Sequence, residues 1–310
     1  MNYKVLISDN LSKGIVNKFK SVGIGVVYKP EIGKDNSFLL KEICNYDAIA
    51  IRSDTKLDSI VLNKAIKLKV IGRAGIGVDN IDLASASSKG IVVMNTPFGN
   101  AITTAEHTIA MIFAAARNIP AADQSTKSGR WEKKKFIGIE LSRKKLGIVG
   151  VGNIGSIVAS LAQSLGMEII AYDPFLSDER AKNLKIYKTN DLNYLLSKSD
   201  VVTLHLPKNE NTHNIISSEN IFKMKKGSIL VNCARGGLVE EIAVAKAIKK
   251  KHLSAAAFDV FLKEPATSNP LFGLKNVICT PHLGASTAEA QEKVSFQIAD
   301  QIINYLEKGA

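Results

Sequence analysis

Short apolar runs alternate with amphipathic stretches over the first hundred residues of the chain. The runs KVLIS, GVVY, DAIAIRS, LKVIG and GIVVMNTP are rich in β-branched residues, and segments such as LSKGIVNKFKSVG and LDSIVLNKAI carry apolar positions at helical spacing. Strand-length runs separated by helices predict a parallel sheet with helices on its faces, because parallel neighbours need a long crossover connection. This part of the chain is therefore predicted to form a doubly wound α/β domain.

A second series of the same kind begins at KKLGIVGVG and continues through MEIIAYDP, SDVVTLHLP, GSILVNCAR, SAAAFDVF and NVICTPH. Residues 100–120, whose final Pro is expected to stop a helix, precede this series, and the helical pattern ASTAEAQEKVSFQIADQIINYLEKG follows it. We interpret the first helix as leaving the first domain and the second as returning to it. The predicted domains are a discontinuous one of residues 1–99 and 286–310, and an inserted one of residues 100–285.

Composition is ordinary for a globular protein, with 45% hydrophobic and 23% charged residues. The longest apolar run, 109–116, falls short of the roughly 20 residues that a membrane-spanning helix requires, and the amino terminus lacks the features of a signal peptide. We therefore expect a cytoplasmic location and no membrane partner. Because Cys44, Cys233 and Cys279 are widely spaced and outside any metal-ligand pattern, we expect reduced thiols, no disulfide and no metal site.

The net charge of +12 is compatible with nucleic acid, an anionic membrane surface or small acidic molecules as partners. Most of the charge comes from lysine, and the seven arginines are more informative, since only guanidinium binds a carboxylate or phosphate through two parallel hydrogen bonds. The dense basic stretch of residues 130–145 is interpreted as a solvated loop, because no nucleic-acid-binding motif accompanies it. A nucleic-acid partner is not expected.

The motif GVGNIG, residues 150–155, lies between the apolar strand LGIVG and a helix-forming segment. In this context the first glycine makes a tight turn, the second lets a pyrophosphate approach, and the third lets the helix pack against the strand. The pyrophosphate then lies at the positive end of the helix. Asp173 ends the next strand, where a carboxylate bonds the ribose hydroxyls and repels a 2′-phosphate. The sequence therefore predicts that the cofactor is NAD.

A second glycine-rich segment and His205 are not assigned to the dinucleotide site. GRAGIGVDN, residues 72–80, also follows a strand, but it lacks the third glycine of the dinucleotide fingerprint. We expect a tight loop that offers backbone N–H groups to an anion. His205, in TLHLP, ends an apolar strand without an acidic neighbour in sequence and is interpreted as a structural histidine.

Three later strands lead into groups suited to acid–base chemistry. Arg235 follows ILVN, Asp259 follows AAAF with Glu264 just beyond, and His282 follows VICTP. Ligands of doubly wound sheets bind outside the carboxyl ends of the strands, so these groups are predicted to face the nucleotide. Oxidation of a secondary alcohol by a nicotinamide needs a base, and histidine is suited to that role near neutral pH. Glu264 is predicted to fix the histidine tautomer, and Arg235 to hold a substrate carboxylate and polarise the carbonyl oxygen.

The motifs VNCARGG, FDVFLKEP and TPHLGAST, with GVGNIG upstream, resemble those of the D-isomer-specific 2-hydroxyacid dehydrogenases. RSDT (52–55), GRAGIGVDNID (72–82) and NTPFGNAITTAEH (95–107) are similar to the phosphoglycerate dehydrogenase branch of that family. The resemblance covers nearly the whole chain. It implies a Rossmann nucleotide-binding domain inserted into a flavodoxin-like substrate-binding domain, usually in a homodimer. It also implies NAD-dependent oxidation of 3-phospho-D-glycerate to 3-phosphohydroxypyruvate, which begins serine biosynthesis.

The family's site residues carry over where this sequence matches its motifs. Arg235, Glu264 and His282 correspond to catalytic residues. The implied cofactor contacts are Gly150, Gly152, Asn153, Ile154, Gly155, Asp173, Cys233, Ala234 and Asp259, the last near the nicotinamide carboxamide. The implied substrate contacts are Arg52 and Ser53 at the phosphoester, the backbone of Gly75 at the carboxylate, and Lys133. Lys133 stands where phosphoglycerate enzymes often carry an arginine that reaches toward the neighbouring subunit's substrate, and lysine keeps the charge but loses the planar fork.

Three alternatives remain open from the sequence. The chain could be a glyoxylate or hydroxypyruvate reductase, or another D-2-hydroxyacid dehydrogenase of the same family. It could also be a non-catalytic, NADH-sensing protein of the corepressor type, which can retain the same residues. A nucleic-acid-binding role is the third alternative, and it is supported by the net positive charge alone. Because the chain ends at EKGA, whereas longer family members continue into a serine-binding regulatory domain, we expect feedback inhibition by that route to be absent.

Overall fold

The computed structural model describes residues 3–97 and 99–309 of the chain. Its contacts divide the chain into two compact units, Met1–Asn100 with Ala285–Ala310, and Ala101–Gly284. Phe98, within the NTPFGNAITTAEH motif, lies outside the described residues. Among the helices that the structure describes, none combines the length and the apolar character needed to cross a membrane.

The first unit is built on a parallel sheet of five short strands. The strands and helices of residues 3–97 are β1 (Lys4–Ile7), α1 (Gly14–Ser21), β2 (Gly25–Tyr28), α2 (Asn36–Glu42), β3 (Ala48–Ile51), α3 (Ser59–Lys64), β4 (Val70–Arg73), α4 (Leu83–Ser88) and β5 (Val92–Asn95). The strand order is β2-β1-β3-β4-β5, which is the flavodoxin-like order. Successive residues of β1 enter opposite cores, since Val5 and Ile7 pack in one apolar cluster and Leu6 in the other.

Aspartates begin three of the helices in this unit. Asp35, Asp58 and Asp82 occupy the N-cap positions of α2, α3 and α4, and each carboxylate accepts a backbone N–H of the first turn. An N-cap of this kind satisfies a donor that has no partner within the helix and contributes about 1 kcal/mol to stability. These short helices therefore begin where the sequence supplies an acceptor.

The second unit contains a larger parallel sheet. Its elements are α5 (Ala101–Ala116), α6 (Ile119–Lys127), β6 (Lys145–Val149), α7 (Asn153–Ser164), β7 (Glu168–Tyr172), α8 (Asp178–Asn183), β8 (Tyr187–Thr189), α9 (Leu192–Lys198), β9 (Val201–Leu204), β10 (Ile229–Asn232), α10 (Glu241–Lys249), β11 (Ala255–Phe258) and β12 (Val277–Cys279). The strand order is β12-β11-β10-β9-β6-β7-β8. The chain proceeds outward from β6 in one direction and then from β9 in the other, which is the doubly wound Rossmann arrangement. The predicted fold class is confirmed.

Two local expectations differ from the structure. The helix predicted for residues 100–120 ends at Ala116, and Asn118 adopts a left-handed conformation with φ 54° before α6 begins. Pro120 does not stop a helix, because it lies in the first turn of α6, where a missing N–H removes no helical hydrogen bond. Strand β8 was not predicted, since its three residues, Tyr-Lys-Thr, carry no apolar pattern.

The last helix, α11 (Ala288–Lys308), completes the first unit. Thr287 caps it by accepting the N–H of Ala290 at 3.2 Å, and Gly309 ends it in the left-handed conformation. The apolar face of α11, which includes Ile298 and Ile302, packs in the same cluster as residues of β1, β3 and β4. The two ends of the sequence therefore share one hydrophobic core.

Candidate active site

The GVGNIG turn joins β6 to α7. Gly150 has φ +95°, and a Cβ added to Gly155 would overlap the carbonyl oxygen of Gly150, so both positions need glycine. Gly152 occupies the N-cap of α7, and a Cβ placed there would meet nothing within 4 Å in the described part of the chain. The N-cap of α7 therefore has open space beside it at the positive end of the helix, whose first-turn N–H groups, including those of Asn153 and Ile154, have no acceptor within the helix.

Asp173 follows β7 and contacts this turn directly. Its Oδ2 accepts the N–H of Val151 at 2.7 Å, and its Oδ1 accepts the N–H of Phe175 at 2.9 Å. The two bonds orient the carboxylate next to the glycine-rich turn. A carboxylate at this position can accept hydrogen bonds from ribose hydroxyls and repels a 2′-phosphate.

The carboxyl ends of β10, β11 and β12 lie side by side. Asn232 is level with Phe258, and Phe258 is level with Cys279. The segments that follow these strands carry Arg235, Asp259 with Glu264, and His282. The topology of the second unit therefore brings the ends of three distant stretches of sequence to one edge of its sheet.

His282 and Glu264 form a hydrogen-bonded pair at this edge. The imidazole Nδ1 lies 2.7 Å from Glu264 Oε2, and the two side chains are 44% and 35% exposed. Glu264 Oε1 accepts the N–H of Phe261 at 2.9 Å. Burial alone would raise the pKa of Glu264, but the bond to His282 and the Phe261 N–H outweigh it and hold this pKa below its usual value. The carboxylate is thus ionised at neutral pH and holds the imidazole through Nδ1.

Arg235 is positioned by the turn that follows β10. Its carbonyl accepts the side-chain N–H of Asn232 at 2.9 Å, and its own Nη1 donates to the carbonyl of Ala234 at 2.7 Å. A Cβ added to Gly236 would overlap the carbonyl of Phe261, so only glycine permits this approach of two backbones. The Arg235 turn therefore packs against the segment whose N–H holds Glu264.

Asp259 is fully buried and is surrounded by donors. Its Oδ1 accepts the Thr280 hydroxyl at 2.6 Å and the Leu283 N–H at 2.7 Å, and its Oδ2 accepts the Gly284 N–H at 2.8 Å. His107 Nε2 lies 3.3 Å from Oδ1. Burial would raise the pKa of Asp259, but the contact to His107 and the donors of Thr280, Leu283 and Gly284 hold it below its usual value. A charged carboxylate is thus kept inside the protein.

Sequence reasoning missed two members of this cluster. Thr280 and His107 both bond to Asp259, although they stand 21 and 152 residues from it along the chain. Thr280 precedes His282 in the TPH motif, and His107 ends the AEH of the 95–107 motif, so both lay within recognised motifs without a role. Their place within these motifs was the one feature of the sequence that could have pointed to a role.

Two other candidate groups stay uncharged at neutral pH. Burial, with a contribution from the Asp259 charge, raises the pKa of the Cys233 thiol to about 12, so this side chain stays protonated. Burial lowers the pKa of His205 to about 3, and its Nε2 lies 3.2 Å from the Thr203 hydroxyl. His205 therefore remains neutral and is poorly suited to take up a proton. Ala234, next to Cys233, is also buried.

The candidate substrate residues of the first unit follow β3 and β4. The N–H of Arg52 donates to the buried carboxylate of Asp9, and its carbonyl accepts the Asn80 side chain at 2.7 Å. Burial lowers the pKa of the Arg52 guanidinium, partly offset by the charges of Asp9 and Asp54, and the side chain remains a cation. Its neighbour Ser53 is exposed.

Gly75 lies beneath a second guanidinium of the same unit. A Cβ added to Gly75 would overlap the side chain of Arg73, whose role sequence reasoning did not consider. The structure thus adds a cation at the loop that was predicted to offer N–H groups to an anion. Lys133, in the second unit, is exposed within a short 3-10 helix, Lys133–Phe136.

Residues 109–284 match the D-isomer specific 2-hydroxyacid dehydrogenase family, in its NAD binding domain. The chain belongs to this family. The match covers the glycine turn, Asp173 and the His282–Glu264 pair, and the second unit is thus an NAD-binding domain of this family.

Known relatives extend the similarity to nearly the whole chain. It is 47% identical over 302 residues to D-3-phosphoglycerate dehydrogenase of Archaeoglobus fulgidus, covering 97% of this chain and 57% of the relative. It is 45% identical over 303 residues to the Synechocystis protein of the same name, covering 98% of this chain and 54% of that relative. The chain therefore spans little more than half the length of these relatives. The solved TT0316 protein of Thermus thermophilus superposes with a TM-score of 0.91 at 30% identity, covering 98% of this chain and 97% of that one.

The residues of the second unit fit NAD. The open N-terminus of α7 offers N–H groups suited to a pyrophosphate, and Asp173 stands beside them with a carboxylate suited to ribose hydroxyls. No cluster of His, Cys, Asp and Glu side chains that could hold a metal ion occurs among residues 3–97 and 99–309.

Proposed function

We propose that this dehydrogenase oxidises 3-phospho-D-glycerate to 3-phosphohydroxypyruvate with NAD, as the first step of serine biosynthesis. The relatives named D-3-phosphoglycerate dehydrogenase, at 42–47% identity over almost the whole chain, support this substrate. The observation that carries the chemistry is the His282–Glu264 pair, joined at 2.7 Å at the carboxyl edge of the nucleotide-binding sheet.

In this proposal His282 is the base of the reaction. Glu264 holds Nδ1–H, which leaves Nε2 as the nitrogen that accepts the proton of the substrate C2 hydroxyl. NAD, when bound, accepts the hydride that leaves C2. As the proton arrives, the imidazole becomes a cation beside an ionised carboxylate, and the attraction between them stabilises the transition state. In the reverse direction the same imidazolium protonates the carbonyl oxygen.

The remaining residues bind and orient the reactants. Arg235 holds the substrate carboxylate and polarises the C2 oxygen, because its planar guanidinium can donate to both. The proposed phosphate and carboxylate contacts of the first unit are Arg52, Ser53 and the Gly75 backbone. Lys133 adds a positive charge, but its ammonium group cannot form the two parallel hydrogen bonds that a guanidinium makes to a phosphate. The proposed NAD contacts are Gly150, Gly152, Asn153, Ile154, Gly155, Asp173, Cys233, Ala234 and Asp259.

We further propose a homodimer that resides in the cytoplasm. Trp131 is 86% exposed, Ile137 80% and Ile119 51%, and all three lie between residues 119 and 137 of the second unit. Exposed large apolar side chains within one stretch of the chain are what an interface with another chain would cover. A second copy of this chain is the partner that the family resemblance favours.

A comparison of substrates tests the proposed reaction. The rate of NADH formation is measured with 3-phospho-D-glycerate and with D-glycerate, and the reverse reaction with glyoxylate and hydroxypyruvate. We expect kcat/KM for the phosphorylated substrate to be greater by at least roughly a hundredfold, since the phosphate forms charge-assisted hydrogen bonds. Equal values for the two hydroxyacids would contradict the substrate assignment. NADH binding without turnover of any of these acids would favour the sensor alternative.

The variant Arg52→Ala tests the phosphate contact. We expect kcat/KM for 3-phospho-D-glycerate to fall by about 10–100-fold, the value of one or two charged hydrogen bonds, with little change for D-glycerate. Arg180→Ala, which removes an exposed guanidinium on α8, is the matched control and is expected to change neither value.

A further inference from the structure

The buried carboxylate of Asp259 connects helix α5 with the segment that carries His282. Residues 280–284, here called the histidine segment, donate to it through the Thr280 hydroxyl and the N–H groups of Leu283 and Gly284. The N–H of His282 also donates to the backbone carbonyl of Asp259 at 2.8 Å. The position of the catalytic imidazole is thus tied to Asp259 at four points.

His107 differs from these donors because it belongs to another element. It lies on α5, its side chain is 20% exposed, and its Nε2 is 3.3 Å from Asp259 Oδ1 and 3.5 Å from the Thr280 hydroxyl. The other donors to the carboxylate belong to the histidine segment and can move with it. Among the side-chain contacts described for Asp259, that of His107 is the one that fixes the carboxylate relative to a helix.

The conformation of the histidine segment makes such a support necessary. His282 has φ 57°, in the left-handed region that residues with a Cβ seldom adopt. This conformation persists only while the surrounding hydrogen bonds hold it. Those bonds depend on a charged Asp259, and a buried carboxylate stays charged only when enough donors surround it.

We propose that His107 is a positioning residue of the dehydrogenase, which donates to Asp259 and thereby holds the histidine segment and the His282 imidazole in place for proton transfer. The proposal rests on the proposed role of His282 as the base. His107 touches neither substrate nor cofactor in this scheme. It acts through Asp259. Its removal is therefore expected to slow the chemical step and to make the histidine segment less rigid.

The first experiment measures steady-state kinetics of two variants. His107→Leu removes the donor, and His107→Gln restores a side-chain N–H at a similar distance from the backbone. We expect His107→Leu to lower kcat by roughly tenfold with KM for the hydroxyacid changed by less than about twofold, because misplacement of a base slows the chemical step. His107→Gln is expected to recover most of the lost kcat. His213→Leu, which removes an exposed imidazole of the same unit, is the matched control.

The second experiment measures hydrogen exchange of the backbone amides and does not require turnover. In His107→Leu the amides of Leu283 and Gly284 are expected to exchange about tenfold faster than in the wild type, while those of β6 and β9 remain unchanged. His107→Gln and His213→Leu are expected to retain the wild-type exchange of the histidine segment. Faster exchange in a protein that turns over no 2-hydroxyacid would refute the proposed function and leave the positioning contact established.

Other outcomes overturn the proposal. A lower melting temperature with unchanged kcat and unchanged exchange of the histidine segment would assign His107 to general stability. A loss of kcat without faster exchange would show that His107 acts by another route. Failure of His107→Gln to restore either quantity would show that the N–H donor is not the feature that matters.

Discussion

Glu264 can be tested by a substitution that keeps its size and removes its charge. Its two oxygens accept two different N–H donors, Phe261 N at 2.9 Å and His282 Nδ1 at 2.7 Å. Glutamine offers one oxygen and one NH₂ group in the same space. In Glu264→Gln, therefore, either an N–H donor faces the amide NH₂ group, or the imidazole changes tautomer, accepts that group at Nδ1 and carries its own proton on Nε2, where it can no longer act as a base.

The geometry of the pair sets the size of the expected effect. A hydrogen bond to a charged group contributes about 1.5–3 kcal/mol when it is well protected. The side chains of His282 and Glu264 are 44% and 35% exposed, so solvent screens the interaction and the lower part of that range applies. A loss of about 1–2 kcal/mol in the transition state corresponds to roughly a 5–30-fold fall in kcat.

The assay is the initial rate of NADH formation at saturating NAD and hydroxyacid. Glu210→Gln, which neutralises an exposed carboxylate of the same unit, serves as the control and is expected to behave as the wild type. We expect the NADH dissociation constant of Glu264→Gln to remain within about twofold, because the substitution alters the base and leaves the glycine turn intact. Wild-type kcat in Glu264→Gln would refute the assignment of this carboxylate to the imidazole.

Three further outcomes are expected. His282→Asn is expected to lower turnover by about 10²–10⁴-fold, the value of a general base, while NADH fluorescence titration shows nearly unchanged affinity. Asp173→Ala is expected to raise the kcat/KM ratio of NADP to NAD at least roughly tenfold, because the carboxylate that repels a 2′-phosphate is gone. Hydrogen bonds overcome the effect of burial and hold the pKa of Asp259 below its usual value, so its stabilisation is present above about pH 4 and lost as the pH falls through the folded-state pKa. The urea midpoint of Asp259→Asn is accordingly expected to vary less between pH 6 and pH 3 than that of the wild type.

The fold was predictable from the sequence because its central strands are buried on both faces. A continuous apolar run such as AIAI in β3 is the pattern of a strand covered by helices on each side, and the alternation with helices requires parallel pairing. The same reasoning predicted that the candidate site residues follow strand ends, since an apolar run that stops before Arg235, Asp259 or His282 marks the carboxyl end of a strand. Local sequence patterns were sufficient to predict each buried strand and the residues that follow its carboxyl end.

The features that escaped prediction depend on contacts between distant elements. The helical pattern of α5 identifies His107 as a helix residue, but it does not indicate which strand end the imidazole reaches. The bond to Asp259 spans 152 residues, and only the order of β10, β11 and β12 against α5 brings the two together. Pro120 does mark a helix boundary, but it lies at the start of α6 and not at the end of α5. The left-handed Asn118 separates the two helices.

The two carboxylates near His282 differ in exposure, but the pKa of each is held below its usual value. Asp259 is wholly buried, and the donors around it, the Thr280 hydroxyl and the N–H groups of Leu283 and Gly284, favour its ionised form. Glu264 is 35% exposed and contacts the imidazole itself, yet its pKa is also held below the usual value, partly by the Phe261 N–H, which persists whether or not the imidazole is charged. In the proposed reaction, a proton taken from the substrate therefore stays on His282 beside the ionised Glu264 carboxylate. The imidazole would return the same proton when that reaction runs in reverse.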